Sequence, residues 1–445
     1  MKRQHEHRLF INISQNPKLF YSYCNAKRVK PPIGEVKLPD GSLTTNHKMT
    51  ACAFSDYFKN VFTNEDDVSD IYAEGAVHFL RGQAEEIGLE CRVVEPLVGR
   101  PVVVMSWPGS EPTLPTLLLN SHIDVVPVFE EYWDHEPFSA FKDDKGDIYA
   151  RGTQDMKSVT MQYLEAIRVL KARGFQPRRT VHLTMVPDEE IGGVTGMKEF
   201  VATDEWTRLN VACALDEGMA NPGEQMTVFY GERHTWKVEV TCLGHTGHGS
   251  QFLPNTAGEK LRRVLDLFLT YRGEQERLLA AHPDWKLGDV TTVNLTIISG
   301  GVQQNVVPDK FHACFDCRVA QKTPPDEFEA LVQGWCKQAG DGVTYQLTQK
   351  EDNPDLSPIS PGHPWWAAFT AALTKLNVPV CPEIFPAGTD SRFIRRLGIP
   401  CYGFSPMNHT PILLHDHNER LNEEVFLRGI QLYVELIQSM TAVTA

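Results

Sequence analysis

Apolar residues along this chain recur with two different periods, and the change from one to the other outlines its architecture. From residue 71 to 87, Ala73, Ala76, Val77, Leu80 and Ala84 fall at helical spacing, so a helix with one apolar face is expected. ECRVVEP, PVVVMSW and TLLLNS follow as short runs between Pro and Gly punctuation, which predicts strands. MKSVTMQYLEAIRVLKARG returns to the helical period and stops at Gly174, and TVHLTMVP is again strand-like. Strand, helix, strand is the parallel crossover unit of α/β proteins.

The pattern changes between about 231 and 352. TWKVEVTCLG and KFHACFDCRVA alternate apolar and polar positions, as antiparallel strands with one solvated face do. Residues near 257–281 and 326–339 keep helical spacing. Strings rich in site-like residues, PAGTDSRF and LLHDHNE, resume afterwards. The expectation is therefore a discontinuous α/β domain, residues 64–230 and 353–445, with an α+β domain, 231–352, inserted into it. Residues 1–63 stand apart. They hold ten Lys and Arg against four Asp and Glu, a balance of +6, which leaves −20 on the remaining 382 residues.

A length of 445 residues suits two domains. No apolar run approaches the roughly 20 residues of a membrane span, and the first twenty residues lack the continuous apolar core of a secretory signal. A cytoplasmic protein without a membrane segment is expected. The ten cysteines are scattered without framework spacing, as suits reduced thiols. Cys314 and Cys317 form a CxxC, but alternation places them on opposite strand faces, so a zinc knuckle is not expected. A net charge of −14 argues against a nucleic-acid partner.

Candidate chemistry clusters where strands give way to turns. His122, Asp124, Asp155, Glu189, Glu190 and His415 lie in LLLNSHIDVVP, ARGTQDMKS, VPDEEIGG and LLHDHNE, and side chains at the carboxyl ends of separate strands converge on one crevice. His122 and Asp124, two apart in an extended run, point to the same side, which suits an imidazole ligand and the carboxylate that orients it. Asp155 stands directly before a helix, where an aspartate is ordinarily a cap, but a carboxylate can also bridge two cations. Glu189 and Glu190 point different ways in extended chain, so one suits a ligand and the other a general base. In ALDEG either Asp216 or Glu217, and in HDHNE either His415 or His417, completes the set. His248, in the glycine-rich GHTGHGS, suits donation to an oxyanion, and Arg318 suits bidentate binding of a carboxylate.

The strings NSHIDVVPV, YARGTQDMK, VPDEEIGG, ALDEGMANP, GGVQQNVVP, HPWWAAF, GFSPMNHTPILLHDHNERL and FLRG, spread over residues 70–440, resemble the dinuclear zinc aminoacylase/carboxypeptidase family. That family includes glutamate carboxypeptidases, carnosinases and succinyl-diaminopimelate desuccinylase. The resemblance implies a two-domain metallopeptidase-like α/β fold with an inserted lid and dimerisation domain, two Zn2+ per subunit, and a homodimer acting on a small N-acyl amino acid. It implies one zinc on His122, Asp155 and Glu217, and the other on Asp155, Glu190 and His415. It further implies Glu189 as base, Asp124 as support for His122, and His248 reaching the neighbouring subunit's site. Asn305, Arg318 and Thr389 match substrate-contacting positions. The segment NPKLFYSYCNAKRVKPPIGEVKLPDGSLTTNHKMTACAFSDYFKNVFT resembles the part of non-LTR retroelement proteins that precedes the polymerase. It stands where the family has a leading helix, which points to a fused fragment or a gene-model artefact.

Overall fold

The computed structural model describes residues 72–444, with side chains from Glu74 onward; the retroelement-like segment lies outside the described residues. Helix α1 (Tyr72–Ile87) leads into strands β1 (Glu90–Leu97), β2 (Arg100–Trp107) and β3 (Thr116–His122). Short β4 (Phe141–Lys142) and β5 (Asp147–Tyr149) precede α2 (Lys157–Ala172), β6 (Val181–Val186), α3 (Met197–Phe200), α4 (Asp204–Leu209), β7 (Val211–Asp216) and β8 (Met226–Glu232). There follow β9 (His234–Leu243), β10 (Gly247–His248), α5 (Ala257–Ala281), β11 (Thr292–Gly300), β12 (Val306–Val307), β13 (Lys310–Val319), α6 (Pro325–Ala339) and β14 (Val343–Glu351). The chain ends with α7 (Pro364–Lys375), β15 (Val380–Phe385), α8 (Ser391–Arg395), β16 (Cys401–Gly403), β17 (Arg420–Asn422) and α9 (Glu423–Thr441). Among the described residues, no helix is long and apolar enough to cross a membrane.

Eight strands form one mixed sheet in the order β1-β2-β6-β3-β7-β16-β8-β15. Its centre, β6-β3-β7-β16, is parallel. Strands β3 and β6 are buried at every position; the apolar run Leu117–Leu119 of β3 shows no alternation, and the polar residues of β6, His182 and Thr184, are hydrogen-bonded inside the fold to Ser106 and Asn120. Parallel register brings their carboxyl ends to one edge. His122 lies opposite Val186, and Leu119 opposite Leu215. The loops that follow, with Asp124, Glu189 and Glu217, therefore leave the sheet side by side.

The second sheet, β11-β13-β9-β14, is antiparallel throughout. Trp236, Val238 and Val240 of β9 and Ala313, Phe315 and Cys317 of β13 pack beneath Phe268 of α5 and Phe328 and Val332 of α6. Phe268 stacks on Phe315 with ring centroids 4.0 Å apart. The alternate positions Lys237, Glu239, His312, Asp316 and Arg318 form the opposite, polar face, as a period of two requires. Cys317 belongs to the apolar side and Cys314 to the polar side. The glycine-rich GHTGHGS contains a short ladder, with His248 opposite Val306.

Two loops beside the large sheet are laced together by Glu419. Its carboxylate lies 2.7 Å from Arg151 Nη1 and accepts hydrogen bonds from the backbone N–H groups of Gly152, Gln154 and Asp155. The Gln154 amide group donates to the carbonyls of Pro411 and Arg420 and accepts from Leu413 N–H. Both Arg151 and Glu419 are buried. Removing one member of a buried pair strands the other, so Glu419→Ala is expected to lower urea stability by about 3–5 kcal/mol; a loss under about 1 kcal/mol would contradict this account.

His182 on β6 is buried against Ser106, 2.9 Å from its hydroxyl. Burial, assisted by the charge of Arg92, pushes its pKa down to about 4. The unfolded chain takes up a proton near pH 6.5 that the folded chain refuses. The stability associated with neutral His182 is thus present above pH 6.5 and is lost as pH falls towards 4, by an amount of order 3 kcal/mol. Urea midpoints measured across that window should fall more steeply for the parent than for His182→Gln; parallel curves would refute the assignment.

Candidate metal centre

His122, the last residue of β3, is fully enclosed at the sheet's carboxyl edge. Its Nε2 lies 3.1 Å from Asp155 Oδ1 and 3.5 Å from Glu217 Oε2. Its Nδ1 lies 3.0 Å from the carbonyl of Asp124 and 3.3 Å from that residue's carboxylate. The Asp124 carboxylate also accepts from the backbone N–H of Glu189, at 3.2 Å, and of Glu190, at 3.0 Å. One carboxylate thus fixes both an imidazole and the loop of paired glutamates, 65 residues away in sequence.

Asp155 is not a helix cap: Met156 precedes α2, and Asp155 presents its carboxylate to two imidazoles. Oδ1 faces His122, and Oδ2 lies 3.1 Å from His415 Nε2. His415 Nε2 is also 2.9 Å from Glu190 Oε2. The His415 backbone has φ of 63°, a left-handed conformation that a non-glycine residue holds only when its surroundings require it. Asp216 lies away from these groups, bound to Asn120 and Ser391, and His417 packs on Tyr132 with ring centroids 5.0 Å apart.

The electrostatics are those of crowded, dry acids. Burial would depress the His122 pKa, but Asp124, Asp155 and Glu217 overcome it and hold the imidazole well above its ordinary value. Hydrogen bonds from Asp155 and Glu190 push His415 up to about 10. Burial opposes ionisation of Asp155, yet the two imidazoles keep it well below the usual range. Burial, then the charge of a neighbouring carboxylate, raises Glu189 through Glu217, and Glu190 and Glu217 through Asp155. Such a cluster favours added positive charge.

The residues present fit divalent cations. Donor atoms of His122, Asp155 and Glu190 lie within 4.8 Å of one another, as do those of His122, Glu189 and Glu217. Glu190 Oε1 is buried without a hydrogen-bond partner among the described residues, an orphan acceptor that a cation would satisfy. Imidazole and carboxylate donors suit zinc and other first-row divalent ions.

A cavity of about 340 Å³ opens beside the cluster, lined by Glu189, Glu190 and His415 together with Arg392, Lys237 and Arg318. Arg318 is held by Asp316, with Nε 2.8 Å from Oδ1. Thr389 is buried and donates its hydroxyl to Glu232 at 2.9 Å. His248 and Asn305 are neighbours through the short ladder and the Gly249 N–H bond to the Asn305 carbonyl, but neither lines this cavity.

Several residues of the site escaped the sequence reading. Glu419 holds the Asp155 loop; it sits within HDHNE, and its invisibility reflects partners some 265 residues away. Arg392 donates from Nη2 to the Gly192 carbonyl at 2.5 Å and so ties down the turn after the paired glutamates. Asp390 is fully buried, with neither carboxylate oxygen hydrogen-bonded among the described residues. It presses on Gly193, where a Cβ would stand 2.0 Å from Asp390 Oδ1. Nothing in the local string VPDEEIGG signals the carboxylate packed against its glycines.

Residues 118–439 match the model of peptidase family M20/M25/M40. The chain is 52% identical to aminoacylase-1 of Mus musculus over 369 residues, covering 83% of this chain and 90% of the relative. It superposes on an M20 family metallo-carboxypeptidase from Sulfolobus solfataricus with a TM-score of 0.65 at 19% identity, covering 89% of this chain and all of that one. It also superposes on a dinuclear metal-binding M20 peptidase from Bacillus subtilis, with a TM-score of 0.63 at 16% identity over 89% of this chain and 99% of the other. With the parallel-strand edge, the shared aspartate and the extent of the sequence match taken together, the chain belongs to peptidase family M20/M25/M40.

Proposed function

We propose that this chain hydrolyses N-acyl-L-amino acids to a carboxylate and a free L-amino acid, as a cytoplasmic homodimer with two Zn2+ per subunit. The observation that carries this reading is the Asp155 carboxylate between His122 and His415, with Glu189 alongside, in a chain half identical to an aminoacylase-1 over most of its length. His122, Asp155 and Glu217 would hold one ion, and Asp155, Glu190 and His415 the other. Bound ions supply Lewis-acid polarisation of the amide carbonyl and acidify water.

The chain's own residues do the rest. As water adds to the amide carbon, Glu189 accepts its proton and passes it to the nitrogen as the C–N bond breaks. Asp124 positions Glu189 through the backbone N–H it binds and keeps the His122 ring oriented. Arg318 binds the amino-acid carboxylate in this chain's cavity, with Thr389 held nearby by Glu232, and Asn305, which sits beside His248 outside that cavity, joins it from the neighbouring subunit. Residues 231–352 serve as lid and dimerisation domain, and His248, exposed and outside its own chain's cavity, donates to the oxyanion in the neighbouring subunit.

Glu189→Gln should lower kcat for N-acetyl-methionine by about a thousandfold while the metal content, measured by atomic emission, stays at the parent level. Activity within about tenfold of the parent would sink the base assignment. A chelator should abolish turnover and Zn2+ should restore it. Faster turnover of simple dipeptides than of N-acetyl-methionine would replace this reading with that of a dipeptidase.

A further inference from the structure

Glu189 stands on a turn that apolar packing does little to hold. Glu189–Ile191 form a single 3-10 turn closed by Gly192, at φ 104°, and the apolar side chains here are turned outward: Ile191 is 71% exposed and Val194 43%. A side chain left in water contributes little burial free energy, so polar tethers place the turn. Asp124 takes one end, accepting from the N–H groups of Glu189 and Glu190. Arg392 takes the other, where its Nη2 donates to the Gly192 carbonyl at 2.5 Å. The next residue, Gly193, abuts Asp390 and Phe393, so the back of the turn rests on the segment that carries Arg392.

The guanidinium is itself held by the chain's own groups. Its Nη1 donates to the Thr389 carbonyl, the Glu232 carboxylate lies 3.9 Å away, and the group sits over the Phe393 ring, 4.4 Å from its centroid. Glu232 is fixed in turn by the Thr389 hydroxyl and by Arg395, at 2.9 and 3.2 Å. Arg392 is buried, and a planar guanidinium loses little freedom in holding two partners at once. One rigid group thereby bridges two main-chain carbonyls, Gly192 behind the paired glutamates and Thr389 just before α8.

We propose that Arg392 is a positioning residue for the hydrolysis proposed above: through the Gly192 carbonyl it sets where the Glu189 carboxylate stands, acting on the main chain rather than on the substrate. This rests on the reading of Glu189 as the base. Proton transfer needs heavy atoms roughly 2.6–3.2 Å apart, and a misplacement of about 1 Å can cost about a hundredfold in rate. Asp124 grips the turn by its N–H groups and Arg392 by a carbonyl, so loss of Arg392 lets the turn pivot on Asp124. Lysine in its place would keep the charge beside Glu232 but present a single nitrogen on a flexible stem.

The test is a double-mutant cycle on kcat for N-acetyl-methionine, expressed per bound metal ion. In the parent background Arg392→Met should lower kcat about a hundredfold with KM within about threefold, and Arg392→Lys should lower it at least about tenfold. In the Glu189→Gln background, where no base is left to place, each should cost less than about threefold, because residues that act as a unit have non-additive effects. A folding defect or a lost substrate contact would instead lower both backgrounds by the same factor. Equal losses in the two backgrounds, a change confined to KM, or parent-level kcat in either Arg392 variant overturns the inference and leaves the aminoacylase reading standing. Glu189→Gln as active as the parent overturns the base assignment and the inference together, and a metal-loaded parent that does not turn over N-acetyl-methionine overturns the proposed function itself.

Discussion

A single carboxylate, that of Asp155, stands between two imidazoles that enter from opposite ends of the sequence. His122 comes from the end of a central parallel strand and His415 from a loop 260 residues beyond Asp155. Separation in water would cost each group little. His122 and Asp155 are buried, and their charges are tolerated there only as partners, with the exposed His415 as a second partner, because an isolated buried charge is far more costly than a paired one. The parallel register of β3, β6 and β7 makes the arrangement possible by opening three loops at the same edge.

Around that centre the fold repeatedly uses carboxylates as braces. Asp124 grips His122 and the backbone of Glu189 and Glu190. Glu419 grips the backbone leading to Asp155 and neutralises Arg151. Asp216 is fixed by Asn120 and Ser391 directly beside Glu217. Apart from the contact between Asp124 and His122, these braces bind backbone N–H groups and residues outside the cluster, so the loops that carry the cluster are held largely by contacts that do not depend on what it binds. Rigid support of this kind is what precise placement of a few donor atoms demands.

The cavity divides its charge in two. Acids and Arg392 line it from the loops at the large sheet's edge, and Lys237 and Arg318 line it from the second sheet. Two of these cations come from the polar face of the second sheet, whose other face is committed to the core beneath α5 and α6. A molecule with an amide at one end and carboxylate at the other has the polarity this cleft complements. The alternation of β9 and β13 thereby commits one face to the core and leaves the other, charged face on the cavity.

Much of this was legible in the chain. The helical period of residues 71–87, the buried runs of β3 and β6, and the alternation of β9 and β13 all depend on which face of a local element meets water, and that is written in local spacing. The strings ending in His122, Asp155, Glu189 and Glu190 announced acids and imidazoles at strand ends. Spacing alone left Asp216 beside Glu217 and His415 beside His417 as equals, because neighbours share the same local pattern. In the fold Asp216 turns to Asn120 and Ser391, His417 turns to Tyr132, and Glu217 and His415 turn to the cluster. Those choices, with the placing of Glu419, Arg392 and Asp390, rest on contacts between segments far apart in sequence; no local period encodes them, and only the packing of the whole chain decides them.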